Sequence, residues 1–388
     1  MDFIEELKWR GLLFDSIPGT QEHLNSGMRS GYVGFDPSAP SLHIGNLVQI
    51  MLLVHFQRAG HKPIALVGGA TGMIGDPSGK SEERNLLSEE KIREYEVKVK
   101  NQLSKFLDFG NEKTSASIEN NYDWFREIKF LDFLRDVGKH ITVNYMLAKD
   151  SVKSRLETGI SYTEFTYQLL QGFDFYWLNK NRGCSMQMGG SDQWGNITAG
   201  VELTRRKNGN EVFAVTSPLI TRADGKKMGK TETGTVWLDP AMTSPYKFYQ
   251  YWLNVADEDA AKYLRIFSLM GNEEINSLIE LHSQGPHLRT LQQALAKDIT
   301  VRVHTVEEYI HAVKASEIIF GKAANEELQS LSDRDFEEIF EGVPTRKISK
   351  STFENGIDML KLFVDETNFL PSKSEARKLF QSNAISIN

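Results

Sequence analysis

Short apolar runs alternate with segments of helical periodicity over the first 220 residues. Residues 30–35, 64–67, 185–188 and 213–216 are apolar enough to form buried strands, and residues 141–143 favour one more. The intervening apolar positions recur at helical spacing, as after residue 46. Strands that alternate with helices are typical of a Rossmann-like, doubly wound α/β fold with a parallel sheet. Such a sheet binds ligands at the carboxyl ends of its strands.

From residue 244 onward the pattern changes to helices alone, and residues 325–345 are acidic and typical of a linker. This change predicts a Rossmann-type domain at 1–220, a loop and linker at 221–244, a helical domain at 245–324 and a linker with a further domain at 325–388. One further helix is predicted to end at residue 206. The other predicted helices cover residues 88–109, 125–137, 146–157, 161–178, 245–253, 258–269, 273–282, 287–304 and 306–320.

Composition and charge restrict the class of protein. The chain has 388 residues, of which 40% are hydrophobic and 25% charged, as in ordinary globular proteins. We expect a cytoplasmic protein without membrane contact, because no apolar run reaches a membrane span, the start lacks a signal-peptide pattern, and the single cysteine, Cys184, excludes an internal disulfide. The net charge of -7 argues against a surface that coats nucleic acid over a wide area, and no DNA partner is expected. Basic patches at 205–207, 226–227, 346–347 and 373–378 are either solvated faces or places that hold RNA.

The first candidate site lies where the strand at 30–35 leads through a proline-containing loop into a helix. Backbone N–H groups at a helix start present partial positive charge to an anion, and phosphate is a natural ligand there. His43 lies at this helix start, and Gly45 leaves room for close approach of a ligand to the backbone. The alternative is an ordinary helix entry in which the His43 imidazole is only a cap.

Two glycine–lysine sequences fail the P-loop pattern, which requires an earlier glycine five positions before the second one. For residues 79–81 that position holds Ile74, and for residues 229–231 it holds Asp224. We therefore exclude a P-loop nucleotide hydrolase.

The helix predicted at 161–178 carries a polar line in an apolar setting. Tyr167, Gln171 and Asp174 are spaced at i, i+4 and i+7, which places them on one face. A buried aspartate needs a partner, and a polar ligand or hydrogen bonds to neighbouring segments would supply one. Another connection from strand to helix follows the strand at 185–188, and there Asp192 is placed to accept the hydroxyls of a ribose.

Four segments resemble the class I aminoacyl-tRNA synthetases, in the form found in the bacterial tyrosyl-tRNA synthetase family. Residues 36–46 resemble the "HIGH" signature, with Asn46 where that family usually has a second histidine; an amide can still donate a hydrogen bond to phosphate. Residues 223–231 resemble the "KMSKS" signature. Residues 167–174 resemble the amino-acid site, and the sequence Gly-Gly-Ser-Asp-Gln-Trp-Gly-Asn at 189–196 is similar to the same family.

The resemblance implies a role for each candidate residue. Tyr32 and Asp174 are implied at the phenolic hydroxyl of tyrosine. The residues implied for tyrosine binding are Tyr32, Asp76, Tyr167, Gln171, Asp174, Gln187 and Gln193. The residues implied for ATP binding are Asp36, Ser38, His43, Gly45, Gly190, Asp192 and Lys230. The residues implied for catalysis, most of them able to stabilise charge on the departing pyrophosphate, are His43, Asn46, Lys80, Arg84, Lys227, Lys230 and Thr231.

The implied activity has two steps. L-tyrosine and ATP with Mg²⁺ give tyrosyl-adenylate and pyrophosphate, and the tyrosyl group then passes to the 3′ adenosine of tRNA(Tyr). No metal held tightly by protein ligands is implied. The resemblance also implies a homodimer contact within 124–165 and a helical anticodon-stem-binding domain. Residues 370–379 resemble the opening helix of a C-terminal RNA-binding domain that is expected to be shortened in this chain.

Three other interpretations stay open. A tryptophanyl enzyme shares the fold, although Tyr32 and Asp174 favour a phenol over an indole. A cofactor-making nucleotidyltransferase has a similar histidine motif but does not need the helical region. A noncatalytic RNA-binding descendant is opposed by Lys227 and Lys230, although their loop taken alone would be read as a surface loop.

Overall fold

The computed structural model describes residues 2–78, 87–110, 112–153, 155–156, 159–225, 228–231, 234–320, 345–353, 356–382 and 385. The chain forms two compact units, Met1–Val306 and Glu307–Asn388. The first unit contains both the sheet and most of the helical region. The boundaries predicted at residues 220, 244 and 324 therefore stay predictions.

A six-stranded sheet forms the centre of the first unit, in the order β1-β6-β5-β2-β3-β4. β1 pairs antiparallel with β6, and all other neighbours are parallel, which confirms the predicted Rossmann-like fold. The chain proceeds from β2 to β3 on one side and places β5 on the other, so a ligand crevice is expected beside β2. The strands are β1 Asp15–Ser16, β2 Ser30–Phe35, β3 Lys62–Val67, β4 Ser117–Asn120, β5 Cys184–Gly190 and β6 Phe213–Ser217, and a separate hairpin pairs β7 Lys230–Thr231 with β8 Gly234–Thr235.

Helices cover both faces of the four apolar strands. Because of that burial their sequences are continuously apolar, and this is why they could be predicted. β6 is buried along its whole length, and β3 is buried except at its first residue. β2 and β5 approach closely at Gly31, where an added Cβ would lie 2.8 Å from both the Met186 Cβ and the Phe56 ring. Only glycine fits there without displacing a neighbour.

The helices of the α/β part agree with the prediction in position more often than in length. The predicted helix at 88–109 ends at Leu103. The helices predicted at 125–137 and 146–157 are each divided into shorter pieces, and residues 154, 157 and 158 lie outside the described ones. The helices are α1 Phe3–Arg10, α2 Thr20–Asn25, α3 Leu47–Arg58, α4 Thr71–Ile74, α5 Glu89–Leu103, α6 Tyr122–Phe125, α7 Phe130–Asp136, α8 Val143–Leu147, α9 Asp150–Lys153, α10 Tyr162–Arg182 and α11 Trp194–Asn208.

The strand predicted at 141–143 is wrong. Val143 begins α8, and the Thr142 hydroxyl caps that helix by accepting a hydrogen bond from the Tyr145 N–H. A threonine in a short apolar run satisfies the strand pattern and the helix-cap pattern equally well, so the run alone does not distinguish them.

The helical part of the first unit packs around Trp252, which is fully buried against Tyr263 and Phe267. Arg10 of α1 contacts this part. Its buried guanidinium pairs with Glu6 at 2.8 Å and donates to backbone carbonyls at the end of the helix Asp257–Phe267 and just after it, including that of Ser268 at 2.9 Å. The helices of this helical part are α12 Pro245–Leu253, α13 Asp257–Phe267, α14 Asn272–Gln284 and α15 Thr290–Val303. The helix α16 Val306–Phe320 begins at the boundary with the second unit.

The described residues of the second unit include α17, Lys373–Gln381, close to the helix that was predicted at 370–379. The Ser372 hydroxyl caps α17 by accepting from the Glu375 N–H at 3.2 Å. Phe363 packs against Phe369 and Phe380 as a small core. Within the described residues of the whole chain, no helix combines the length and the apolar character needed to cross a membrane.

Candidate active site

A cleft of about 850 Å³ lies at the carboxyl ends of β2, β3 and β5. Its size is ordinary for a site that binds small molecules. Met228, beside the "KMSKS"-like lysines, also lines it. The predicted site residues that line it are Tyr32, Asp36, Ser38, His43, Gly45, Asn46, Asp76, Tyr167, Gln171, Asp174, Gln187, Gly190, Asp192 and Gln193.

The structure does not place the side chains of the lysines, the arginine and the threonine that were predicted for catalysis. Lys80, Arg84 and Lys227 lie outside the described residues, and for Lys230 and Thr231 only the backbone strand β7 is described. Their roles stay predictions.

His43 caps the short helix Ile44–Asn46 at the mouth of the cleft. Its Nδ1 accepts a hydrogen bond from the Gly45 N–H at 3.0 Å. The Asn46 Oδ1 accepts from the His43 N–H at 3.0 Å and completes a capping box. In a neutral imidazole whose Nδ1 accepts, Nε2 carries the proton. Capping and donation to a phosphate therefore use different atoms, and the amide Nδ2 of Asn46 is likewise the donor end of its side chain.

The described part of the "KMSKS"-like segment lies against the "HIGH"-like loop. Residue Gly229 has a φ of 84°, and an added Cβ would lie 2.7 Å from Ile44. A side chain there would be strained and would also push the two loops apart. The Gly229 N–H donates to the Tyr251 hydroxyl of α12 at 3.2 Å, and the Val236 N–H donates to the Gly229 carbonyl at 3.1 Å.

Asp174 lies at the buried end of the cleft and is only 2% exposed. Its two oxygens accept hydrogen bonds from the Asn121 amide at 3.0 Å and from the Trp124 indole N–H at 2.9 Å. Burial raises the pKa of Asp174 well above its ordinary value, and the two donors oppose that rise. Burial, with Asp174 adding to it, also raises the pKa of the nearby Tyr32 phenol.

At the buried end of the cleft, the Tyr32 hydroxyl gives the strongest indication of a ligand site. It is buried, and it has no hydrogen-bond partner among the described residues. A buried hydroxyl without a partner is costly, so a ligand that presents a polar group here would remove that cost.

Two further carboxylates, those of Asp36 and Asp76, line the cleft. Asp36 accepts from the Tyr167 hydroxyl at 2.8 Å and from the Thr71 hydroxyl at 2.7 Å. Asp76 accepts from the Gln193 amide at 2.6 Å. Burial, then the charges of Asp36 and Asp76, raise the pKa of Tyr167 well above its ordinary value. Neighbouring carboxylates that disfavour another negative charge favour a cation, such as an ammonium group.

Backbone approaches the cleft closely at Gly190, where an added Cβ would lie 2.5 Å from the Asp192 carboxylate. A side chain at position 190 would therefore have to displace the Asp192 carboxylate, which is predicted to bind a ribose. Within the described residues, no three histidine, cysteine, aspartate or glutamate side chains are grouped so that they could hold a metal ion.

Sequence reasoning missed Asn121 and Trp124, which follow the edge strand β4. β4 is only partly buried and has the sequence Ser-Ile-Glu-Asn, so it lacks the apolar run that revealed the other strands. The available signal was the tryptophan itself, because a buried indole N–H usually requires an acceptor.

Comparison with known proteins agrees with this geometry. A family model described as tRNA synthetases class I (W and Y) matches residues 27–321. The chain is 57% identical over 393 residues to a tyrosine–tRNA ligase of Porphyromonas gingivalis and 58% identical over 393 residues to one of Bacteroides thetaiotaomicron. Both alignments cover 100% of this chain and 91% of the relative.

Among solved structures, a C-terminally truncated mitochondrial tyrosyl-tRNA synthetase of Aspergillus nidulans matches with a TM-score of 0.74 and 30% identity. The match covers 82% of this chain and 94% of that chain. These findings confirm the family that the four segments predicted. The chain belongs to the class I tRNA synthetases of the tryptophan and tyrosine group.

Proposed function

We propose that the chain is a tyrosine–tRNA ligase. It activates L-tyrosine with ATP to tyrosyl-adenylate and pyrophosphate, and it then transfers the tyrosyl group to the 3′ adenosine of tRNA(Tyr). The observation that carries this conclusion is the placement of Tyr32 beside the hydrogen-bonded carboxylate of Asp174 at the buried end of the cleft. Relatives named tyrosine–tRNA ligase that align with the whole chain support it.

A phenol suits this end of the cleft better than an indole does. A phenolic hydroxyl can donate to Asp174 and accept from Tyr32, so both polar groups gain a partner. An indole N–H can only donate, and it would leave the Tyr32 hydroxyl without one. This argument favours tyrosine over tryptophan as the substrate.

The carboxylates of Asp36 and Asp76 suit the ammonium group of the amino acid. We propose that Asp76, Tyr167 and Gln171 hold it, with Gln187 and Gln193 beside the substrate. The Tyr167 hydroxyl donates to Asp36, so its oxygen keeps a lone pair for the ammonium.

Adenylate formation needs no general base, because the α-carboxylate of tyrosine is ionised at neutral pH. A carboxylate oxygen bonds to the α-phosphorus of ATP as the bond from that phosphorus to the pyrophosphate oxygen breaks. The protein must align these groups and stabilise the charge on the leaving pyrophosphate. We assign that stabilisation to His43, Asn46, Lys80, Arg84, Lys227, Lys230 and Thr231, and nucleotide binding to Asp36, Ser38, Gly45, Gly190 and Asp192. Mg²⁺ enters with ATP as part of the substrate.

Pyrophosphate exchange with each of the twenty amino acids tests the function. We expect exchange with tyrosine alone, and an aminoacylation assay with tRNA(Tyr) should then show transfer of the tyrosyl group. Exchange with tryptophan instead would show a tryptophanyl enzyme. A purified, folded chain that neither binds ATP nor exchanges pyrophosphate would support a noncatalytic RNA-binding protein.

We propose that the protein is cytoplasmic. We also propose that the helical region and the second unit contact tRNA. Arg377 and Lys378 are exposed on α17 and suit a phosphate backbone, whereas Lys373 of the same helix pairs with Asp365 at 2.8 Å. The patch at 205–207 is less suitable, because Glu202 pairs with both of its arginines.

We propose that α7 contributes to a homodimer contact. Leu131 of this helix is 75% exposed, beside Phe130 at 67%. An apolar surface of this kind marks a protein interface.

We expect Leu131→Glu to shift the sedimentation of the dimer toward that of a monomer, because the charge would be buried in the contact. Leu281→Glu on α14, where the leucine is 52% exposed, is the matched control and should leave the assembly unchanged. Equal sedimentation of both variants would contradict the proposed contact.

Tyr32→Phe should separate ligand binding from stability. Because the protein itself gives the Tyr32 hydroxyl no partner within the described residues, its removal should leave the free energy of unfolding unchanged or raise it. Tyrosine binding should weaken about 2- to 10-fold, the effect of one neutral hydrogen bond. Tyr167→Phe is the contrast, since it also removes a donor from Asp36 and should lower stability. Urea unfolding and equilibrium dialysis measure the two effects, and unaltered tyrosine affinity would argue against the assigned role.

A further inference from the structure

A buried amide outside the cleft connects to the start of the "HIGH"-like loop. Gln102 lies in the last turn of α5 and is 9% exposed. Its Oε1 accepts from the Leu42 N–H at 2.8 Å, and its Nε2 donates to the Ser41 hydroxyl oxygen at 2.9 Å. Both ends of the amide are therefore used within two residues of His43.

The Ser41 hydroxyl extends this connection to the segment that follows the "KMSKS"-like loop. It accepts from the Asp239 N–H at 3.2 Å and donates to the Leu42 carbonyl at 2.6 Å. Next to it, residues 42–44 pair with residues 236–238 through the Leu238 N–H to the Leu42 carbonyl at 2.8 Å and the Ile44 N–H to the Val236 carbonyl at 3.1 Å. Gln102 of α5 thus binds the "HIGH"-like loop where this loop pairs with the residues that follow the "KMSKS"-like loop.

We infer that Gln102 and Ser41 are positioning residues that hold the two signature loops in register for adenylate formation. This inference rests on the proposed function, because the step concerned is the attack of tyrosine on ATP. Neither residue lines the cleft among the described residues, so neither contacts substrate there. Both are buried and hydrogen-bonded, so loss of either partner leaves a polar group that can regain one only if the loop moves.

Such a movement would affect the reaction and not the binding of tyrosine. His43 and the predicted lysines act on the phosphates, and a displacement of about 1 Å can cost about 100-fold in rate. Tyr32 and Asp174, which are proposed to bind the phenol, lie on β2 and α10, away from this contact.

Gln102→Met keeps the length of the side chain but removes both hydrogen bonds, and Ser41→Ala removes the shared hydroxyl. We expect each to lower the rate constant of adenylate formation about 10- to 100-fold in rapid-quench measurements, while the tyrosine Kd changes less than about twofold. The double variant should be no slower than the slower single one, because the two side chains act as a unit.

Gln292→Met is the matched control. Gln292 is fully buried on α15, and its amide donates to the Val255 carbonyl at 3.2 Å and to Asp257 at 2.6 Å, away from the cleft. It should lose stability with a normal rate constant. If Gln102→Met does not fold, Ser41→Ala provides the test.

Equal rate constants for the Gln102→Met and Gln292→Met variants, or additive effects in the double variant, would overturn the inference. A wild-type protein without tyrosine-dependent pyrophosphate exchange would instead overturn the proposed function, so the two failures are distinguishable.

Discussion

His43→Ala is expected to slow tyrosyl-adenylate formation about 100- to 1,000-fold, the usual cost of removing one donor from developing charge. The ring caps the short helix through Nδ1, so Nε2 carries the proton that can be donated to phosphate. Because His43 lies at the mouth of the cleft and Asp174 at its buried end, tyrosine affinity should change less than about twofold. Pre-steady-state kinetics and equilibrium dialysis measure these quantities separately.

His43→Asn distinguishes the donor from the cap. An asparagine can still accept from the Gly45 N–H and keep the helix start, but its shorter side chain does not reach where Nε2 lies. We expect it to be nearly as slow as the alanine variant. Full activity in His43→Asn would mean that capping is the role of His43. A large loss of tyrosine affinity with normal turnover would also contradict the donor role.

Asp174→Asn is expected to weaken tyrosine binding about 10- to 150-fold, equivalent to roughly 1.5 to 3 kcal/mol, because the phenol loses a buried hydrogen bond to a charged acceptor. Both carboxylate oxygens accept from N–H groups, of Asn121 and Trp124. The new amide nitrogen would face one of these donors, so the free energy of unfolding should also fall by about 1 to 3 kcal/mol.

The discrimination between tyrosine and phenylalanine is the decisive measurement for this variant. Phenylalanine lacks the hydroxyl from which Asp174 would accept a hydrogen bond. The kcat/KM for tyrosine divided by that for phenylalanine should therefore fall with Asp174→Asn. Tyr32→Phe is the comparison, because it removes the other member of the pair without leaving a described protein donor unpaired. An unchanged ratio in the Asp174 variant, measured on folded protein, would refute the assignment of this end to the phenol.

The parts of the fold that were predicted are those in which burial and local periodicity coincide. β2, β3, β5 and β6 are apolar because helices cover both faces, and that burial is visible as a continuous run. β4 was missed because only part of it is buried. Residues 141–143 were misassigned because a capping threonine also fits a strand.

The same distinction applies to the site. Tyr167 and Asp174 line one cleft as their helical spacing predicted, since 3.6 residues per turn places them on one face. Their hydrogen-bond partners were not predictable from that spacing. Asp36 lies 131 residues from Tyr167 in sequence, and Asn121 lies 53 residues from Asp174.

The sequence by itself determined the family signatures, the four buried strands β2, β3, β5 and β6, and the shared face of Tyr167 and Asp174, because motif spacing and apolar periodicity are local properties. Only the tertiary structure decided that Asn121 and Trp124 hold Asp174, that the Tyr32 hydroxyl has no partner among the described residues, and that Gln102 bonds Ser41, which in turn bonds Asp239 after the second signature loop. The physical reason is that a hydrogen bond requires two atoms within about 3 Å, and for groups far apart in the chain only the packed fold sets that distance.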